Sequence, residues 1–203
     1  MITSYFMKTI LYIFFLSFLF TSSASADFKL GVDAYIANDY VTAYKELKPF
    51  AEQGNADAQQ KLGYMYVTGQ GVTQDYKEAV KWYRLAALQG NADAQHNLGI
   101  SYDIGEGVTQ DYKEAAKWFR LAAHQGNVHA HYNLGWLYWQ GKGVIKNYIL
   151  SHMWFNIAAI NGDQEAEKVR AALEIQIKSK EKIARAKKLA RECIENHYKN
   201  CRL

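Results

Sequence analysis

Proline is nearly absent from this sequence. Pro49 is the only one among 203 residues, and stretches in which β-branched and polar residues alternate are almost missing as well. Because proline interrupts helices, its scarcity favours long helical segments. Because strict alternation is typical of half-buried strands, its scarcity argues against a sheet. We therefore expect an all-α fold.

Cysteine is also scarce, and this limits the chemistry open to the chain. The two cysteines, Cys193 and Cys201, lie eight residues apart near the C-terminus, a spacing that fits neither a CxxC redox motif nor a zinc knuckle. In an exported protein such a pair predicts a disulfide that closes a small loop and holds the end of the last helix. A catalytic thiol is not expected.

A strong charge imbalance is missing too. The formal net charge is +4, which does not predict a nucleic-acid partner. The positive charge is concentrated towards the C-terminus, where residues 178–191 read KSKEKIARAKKLAR. Basic runs of this kind are usually the solvated face of a helix, so we do not expect an anionic partner to bind there.

No apolar run has the length that a membrane span requires. The most apolar stretch, residues 10–20, has eleven residues, whereas a transmembrane helix needs about 20. It follows Lys8 and precedes small residues up to Ala26, which is the order of a secretory signal peptide. Met1 and Met7 both fit as the start. We predict cleavage after Ala26, a single mature domain over 27–203 without a membrane span, and export, with the periplasm favoured over secretion.

The sequence does contain an internal repeat. Leu62-Gly63 recurs as Leu98-Gly99 and Leu134-Gly135, a constant period of 36 residues. The period defines full repeats at 55–90, 91–126 and 127–162. The preceding segment, 27–54, has the same pattern without the loop insertion GQGV, and we interpret it as an N-terminal capping repeat. Residues 163–203 are predicted to form C-terminal capping helices.

Each full repeat is punctuated as two helices, A and B. An Asn or Asp follows the glycine that ends each repeat and is suited to cap helix A, which in turn ends at a Gly-x-Gly pair where the chain must reverse. One such hairpin cannot bury its own apolar stripe, so neighbouring copies must stack. The residues predicted to form the repeated core are Leu62, Gly63, Tyr66, Trp82, Leu98, Gly99, Tyr102, Trp118, Leu134, Gly135, Tyr138 and Trp154.

The repeat resembles the Sel-one-like repeat (SLR), a relative of the tetratricopeptide repeat. The shared pattern is A-x-A-Q-x-x-L-G-x-x-Y-x-x-G-x-G-V-x-x-D-Y-x-x-A-x-x-W, in residues 56–90, 92–126 and, more loosely, 128–162. The third copy departs at 145–149, which read IKNYI, and at Ser151, which replaces an alanine. The resemblance implies a right-handed α-solenoid that acts as a non-enzymatic scaffold or adaptor for a protein or peptide partner.

Positions that face outwards and differ between the copies are where a specific partner can be recognised. On helix A, residues 60, 64, 67 and 68 and their equivalents lie opposite the core stripe; we call these positions in the three full repeats the groove row. Helix A lines the concave surface of stacked hairpins, and exposed aromatic residues often anchor bound peptides. The predicted binding residues are Tyr64, His96, Ile100, Tyr132, Trp136 and Trp139. The alternative is that Trp136 and Trp139 pack against the next helix A.

No catalytic, metal-binding or cofactor-binding set is predicted. The Gly-x-Gly pairs follow helices and lack the lysine of a P-loop. His129 and His131 are two residues apart on a helix, so their side chains diverge by about 200° and, with His124, do not suit a common metal ion. Some cysteine-rich exported SLR proteins bind or hydrolyse β-lactams. That activity is the alternative function which the resemblance implies, although the cysteine pairs of that subgroup are missing here.

Overall fold

The computed structural model describes residues 27–199 and residue 201, so the predicted signal peptide lies outside the described residues. Within them the chain forms ten α-helices and no strand, which confirms the all-α fold. None of these helices is both long enough and apolar enough to cross a membrane. The helices are α1 (27–36), α2 (Tyr40–Glu52), α3 (Ala56–Thr68), α4 (Tyr76–Leu88), α5 (Ala92–Ile104), α6 (Tyr112–Ala123), α7 (Val128–Gln140), α8 (Tyr148–Ile160), α9 (Gln164–Ile177) and α10 (Lys180–Glu195).

Side-chain caps fix where the helices of each repeat begin. Helix A of the full repeats (α3, α5 and α7) starts after Asn55, Asn91 or Asn127, whose side-chain oxygen accepts a hydrogen bond of 2.9 Å from the backbone N–H three residues on. This bond satisfies an N–H group that has no partner inside the helix. Helix A ends at a glycine in the left-handed region, as at Gly69 with φ of 70°, and helix B (α4, α6 and α8) starts after a similar cap such as Asp75.

Helices A and B of one repeat are in very close contact. A Cβ atom on Gly99 of α5 would lie 2.6 Å from Cδ1 of Phe119 on α6, so a residue with a side chain would push the helices apart. Tyr83 and Phe155 occupy the same place in the other full repeats. Leu98, directly before the glycine, is fully buried. The leucine-glycine pair therefore forms the contact site on helix A for the aromatic ring of helix B, and we call this site the seat of the ring.

The hairpins stack in chain order, because each helix B also packs against helix A of the next repeat. A buried polar residue at the start of helix A strengthens this junction. Gln59 and Gln95 donate hydrogen bonds to the backbone carbonyls of Ala51 and Ala87 in the preceding repeat, at 2.9 and 3.1 Å. The third repeat has His131 at this position, and its Nε2 lies 2.9 Å from the carbonyl of Ala123.

Side chains on successive A helices reach one another directly. Nδ2 of Asn133 on α7 lies 3.1 Å from Nε2 of His96 on α5. Nε1 of Trp139 on α7 donates to Oε1 of Gln176 on α9 at 2.9 Å. The A helices of successive repeats therefore lie side by side along one face of the solenoid.

The C-terminal end departs from the repeat. α9 takes the place of a fourth helix A, but Arg170 and Ala171 stand where the other copies have leucine and glycine, so the seat for a helix-B ring is lost. α10 packs mainly against α8 instead of pairing with α9. Met153 and Ile157 of α8 are fully buried, whereas Leu121, the equivalent of Ile157 in α6, is 41% exposed. α10 thus covers the outer face of α8.

A disulfide loop continues from α10 back onto the stack. Cys193 and Cys201 are bonded, with their Cα atoms 4.7 Å apart, which confirms the predicted pairing. Within the loop, the ring of Tyr198 lies 5.1 Å from that of His131, and its hydroxyl donates to Oδ1 of Asn161 at 3.1 Å. Tyr198 therefore holds the disulfide loop against the third repeat.

A polar link also joins the last three helices. Nε2 of His152 on α8 donates to Oε1 of Glu174 on α9 at 2.8 Å, and Nζ of Lys187 on α10 lies 3.0 Å from the same oxygen. Burial lowers the pKa of His152, and its hydrogen bond lowers the pKa of Glu174. Glu174 thus remains ionised at neutral pH and joins α8 to α10.

Candidate functional site

The groove row lies along the face formed by the A helices, where most of its side chains are partly accessible. Tyr64 is 38% exposed, and its ring lies 6.2 Å from that of Tyr35 on α1. The other predicted binding residues, His96, Ile100, Tyr132, Trp136 and Trp139, are half-buried. Each of these residues combines contact with the stack and access to solvent.

The third repeat carries an aromatic cluster on this surface. The rings of Trp136 and Trp139 are 4.6 Å apart, and Trp136 makes edge contacts with Tyr132 at 6.2 Å and Phe155 at 5.8 Å. Trp139 also bonds to Gln176 of α9. Packing against the next helix A, the alternative raised above, therefore occurs for Trp139. The same contacts hold the partly accessible rings in fixed positions.

A cleft of about 220 Å³ opens beside Trp136, between α5 and α7. Three of its lining residues, Phe119, Trp136 and Leu137, are apolar. The polar ones, none of which is among the predicted binding residues, are Asp103, Asn133, Gln140 and Lys142. Asp103 and Gln140 belong to the groove row and were open to prediction from the helical period. Lys142 lies in the loop after α7, whose path the period does not predict.

Opposite charges meet in this cleft without forming an ion pair. Burial raises the pKa of the Asp103 carboxyl, and the positive charge of Lys142 acts in the opposite direction. The ammonium group of Lys142 lies 4.9 Å from the centre of the Tyr112 ring, which is within the range of a cation–π contact. The cleft can therefore offer both a carboxylate and an aromatic wall to a ligand.

His96 lies next to the cleft and is uncharged at neutral pH. Burial, together with the neighbouring His129, lowers the pKa of His96 to about 4. Its ring lies 5.7 Å from that of His129 and 5.8 Å from that of Phe119. His96 therefore supplies a polar but neutral contact between α5 and α7.

The residues predicted for the repeated core lie at different depths. Leu62, Leu98 and Leu134 are fully buried, Trp154 is fully buried, and Trp118 is 5% exposed. Tyr138 is also buried, and so are the three glycines that follow the leucines, Gly63, Gly99 and Gly135. Three are only half-buried: Tyr66, Tyr102 and Trp82. Two of these three have hydroxyl partners, since Tyr66 bonds to Tyr44 at 2.9 Å and Tyr102 accepts from Arg84 at 2.6 Å.

The side chains considered for chemistry were potential metal ligands and a serine–lysine pair, and both can be located in the part of the chain that the structure describes. No group of three potential metal ligands comes together there. Serine β-lactamases carry their nucleophilic serine and a lysine at the spacing SxxK, and this spacing is present here at Ser179 and Lys182. The Ser179 hydroxyl caps α10 by accepting the backbone N–H of Lys182 at 3.3 Å, and Lys182 is exposed. This pair does not line the cleft.

The architecture defines the class: a solenoid of stacked helical hairpins whose A-helix face is partly aromatic and partly polar. A family model for the Sel1 repeat matches residues 56–91, 92–127 and 128–163. The chain therefore belongs to the Sel1 repeat family. Proteins of this family are generally scaffolds for protein–protein interactions, and most of them are not enzymes.

Solved structures of related proteins are similar to this chain. A protective antigen of uropathogenic Escherichia coli with an SLR fold is 40% identical, with a TM-score of 0.67 over 70% of this chain and 32% of its own. A Sel1 repeat protein from Oxalobacter formigenes is 40% identical, with a TM-score of 0.65 over 68% of this chain and 57% of its own. This chain thus matches less than two thirds of the length of either relative.

A more distant structure shows the fold alone. Cysteine-rich protein B of Helicobacter pylori is 20% identical, with a TM-score of 0.51 over 64% of this chain and 94% of its own. No curated protein matches the chain significantly.

Proposed function

We propose that this protein is a non-enzymatic scaffold that holds a segment of a partner polypeptide in the groove row. The observation that carries the proposal is the aromatic cluster of Tyr132, Trp136 and Trp139 beside the cleft. Its rings are fixed by mutual contacts yet half-buried rather than enclosed. Rigid, partly exposed aromatic rings are efficient anchors, because little side-chain entropy is lost when a partner covers them.

We also propose that the protein works outside the cytoplasm, in the envelope or beyond the cell. The Cys193–Cys201 disulfide supports this location, because such bonds persist in oxidising compartments and are rare in the cytosol. The signal-peptide pattern of residues 1–26 supports it independently.

A quantitative capture experiment tests the scaffold function. Immobilised protein, residues 27–203, is incubated with periplasmic and culture-supernatant fractions, and bound proteins are quantified by mass spectrometry. A Tyr64→Ala and Trp136→Ala double variant should lose a specific partner. A Leu121→Ala variant should retain it, because Leu121 is exposed to a similar extent as Tyr64, at 41% against 38%, but lies on helix B.

Two results would contradict the proposal. The first is capture that does not distinguish the double variant from the Leu121→Ala control while both remain folded. The second is hydrolysis of the chromogenic β-lactam nitrocefin by the purified protein, which would favour an enzyme instead.

A further inference from the structure

One carboxylate in the groove row lacks a partner within the described part of the chain. Asp103 lies in the last turn of α5 and lines the cleft beside Trp136. No described side chain donates a hydrogen bond to its carboxylate or forms an ion pair with it; the side chain of Gln110 donates to the backbone carbonyl of Asp103 instead. An ionised group that is partly removed from water and unpaired is costly. A cation supplied by a ligand would relieve that cost.

The lysine in the cleft does not serve as this cation. Lys142 is held above the Tyr112 ring and makes no ion pair with Asp103. Its charge nevertheless counteracts the effect of burial on the Asp103 carboxyl, which favours the ionised form. Asp103 therefore lines the cleft with no cation of the described chain paired to it.

We propose that the cleft binds an arginine side chain of the partner polypeptide, with the guanidinium group on the Asp103 carboxylate and against the Trp136 ring. This inference rests on the scaffold function proposed above. A guanidinium group pairs with a carboxylate through two parallel hydrogen bonds and stacks well on an indole. The amide oxygens of Asn133 and Gln140, which also line the cleft, can accept its remaining N–H groups.

The size of the cleft fits one long side chain. Its volume is about 220 Å³, and a cavity of about 150 Å³ is enough to hold benzene. Arginine is favoured over lysine because an ammonium group is compact and strongly hydrated, and cannot use the flat ring and both carboxylate oxygens at once.

This arginine site occurs in only one of the three full repeats. The positions equivalent to Asp103 are Val67 in the first repeat and Trp139 in the third. A bound polypeptide would therefore place its arginine at a single point along the groove, between α5 and α7. The charge at that point would fix the register of the segment.

A peptide selection tests the proposal. A random peptide library is displayed on phage and selected on folded wild-type protein, residues 27–203. The pool should become enriched in arginine at one position. Labelled peptides that differ only there, with arginine, lysine or leucine, are then titrated by fluorescence anisotropy. We expect the arginine peptide to bind about tenfold more tightly than the leucine peptide, close to the lower end of the range for a hydrogen bond to a charged group.

Matched variants assign the preference to the cleft. Asp103→Asn should abolish the preference for arginine, and Trp136→Ala should weaken all groove-bound peptides. Glu181→Gln removes an exposed carboxylate in the first turn of α10 and should leave the preference unchanged. Thermal melts confirm that each variant is folded.

The outcomes separate the two proposals. The arginine site is wrong, and the scaffold function stands, if the selected peptides depend on Trp136 but show no preference for arginine. The same conclusion follows if the Asp103→Asn variant still prefers arginine. If no selected peptide depends on Trp136, peptide binding in the groove fails, and the arginine site fails with it.

Discussion

His131 makes a strong prediction about stability in acid. The first two repeats use Gln59 and Gln95 at this position, whereas His131 is fully buried between Trp154, at 5.6 Å, and Tyr198. Its Nε2 bonds to the carbonyl of Ala123, so that nitrogen carries the proton, and its Nδ1 has no partner among the described residues. Protonation would bury an unpaired N–H and a positive charge.

The size of the effect follows from the pKa. Burial lowers the pKa of His131 from 6.5 to about 4. Below pH 6.5 the unfolded chain binds a proton that the folded chain does not, so stability must fall as the pH decreases from about 6.5 to 4. At pH 4.5 the loss due to this one residue is about 2.5 kcal/mol relative to neutral pH.

The substitution His131→Gln removes this pH-dependent loss of unfolding free energy and introduces the side chain that the first two repeats have at this position. Urea unfolding of both proteins is measured between pH 7.5 and pH 4.5, where the other titrating groups are common to both. Relative to the wild type, the variant should gain about 2.5 kcal/mol in unfolding free energy over this interval. Parallel curves for wild type and His131→Gln would refute the reasoning.

Three further predictions concern the stack itself. Trp118→Ala should cost about 3–5 kcal/mol, because it empties a buried site, and the half-buried Trp136→Ala only about 1–2; equal losses in urea unfolding would contradict this difference. Gly99→Ala should destabilise by about 1–3 kcal/mol, since its Cβ would strike Phe119, and an unchanged Tm would show that α6 can yield. Replacing Cys193 and Cys201 by serine should cost about 2–3 kcal/mol for a loop of this length and increase hydrogen exchange around Tyr198; unchanged exchange would mean that the loop docks without the bond.

The repeated part of the fold was open to prediction from the sequence because its signals are local. The caps at Asn55 and Asp75 and the glycine at Gly69 depend on the backbone of a few neighbouring residues. These signals recur with the repeat period. The solenoid then follows because one hairpin cannot bury its own apolar side and must stack against the next.

The position of α10 was not open to prediction in the same way. Its apolar side predicts only that it packs somewhere. The place is decided by distant residues: Arg170 and Ala171 remove the seat on α9, and Met153 and Ile157 make the outer face of α8 apolar. Met153 replaces lysine in the first two repeats, and this change in the repeat alignment is the signal that marks α8 as a helix covered on its outer face.

The candidate site, too, could be predicted from the sequence only in part. The groove row follows from helical geometry alone, and it already includes Asp103 and Gln140. The cleft between them also requires the loop that carries Lys142 and the spacing of α5 and α7, and both depend on packing across repeats. That Asp103 has no side-chain partner among the described residues depends on the folded structure, and the sequence pattern does not predict it.

The departure of α10 from the stack limits how such a chain can lengthen. A hairpin appended after Ile177 would meet Arg170 and Ala171, which cannot seat its ring, and would compete with α10 for its place. A second copy of residues 91–126, inserted next to the first, would pack on each side against the same kind of helix surface that the present repeat contacts. Duplication in the interior preserves every junction, so the stack can gain length there without displacing α10 from α8.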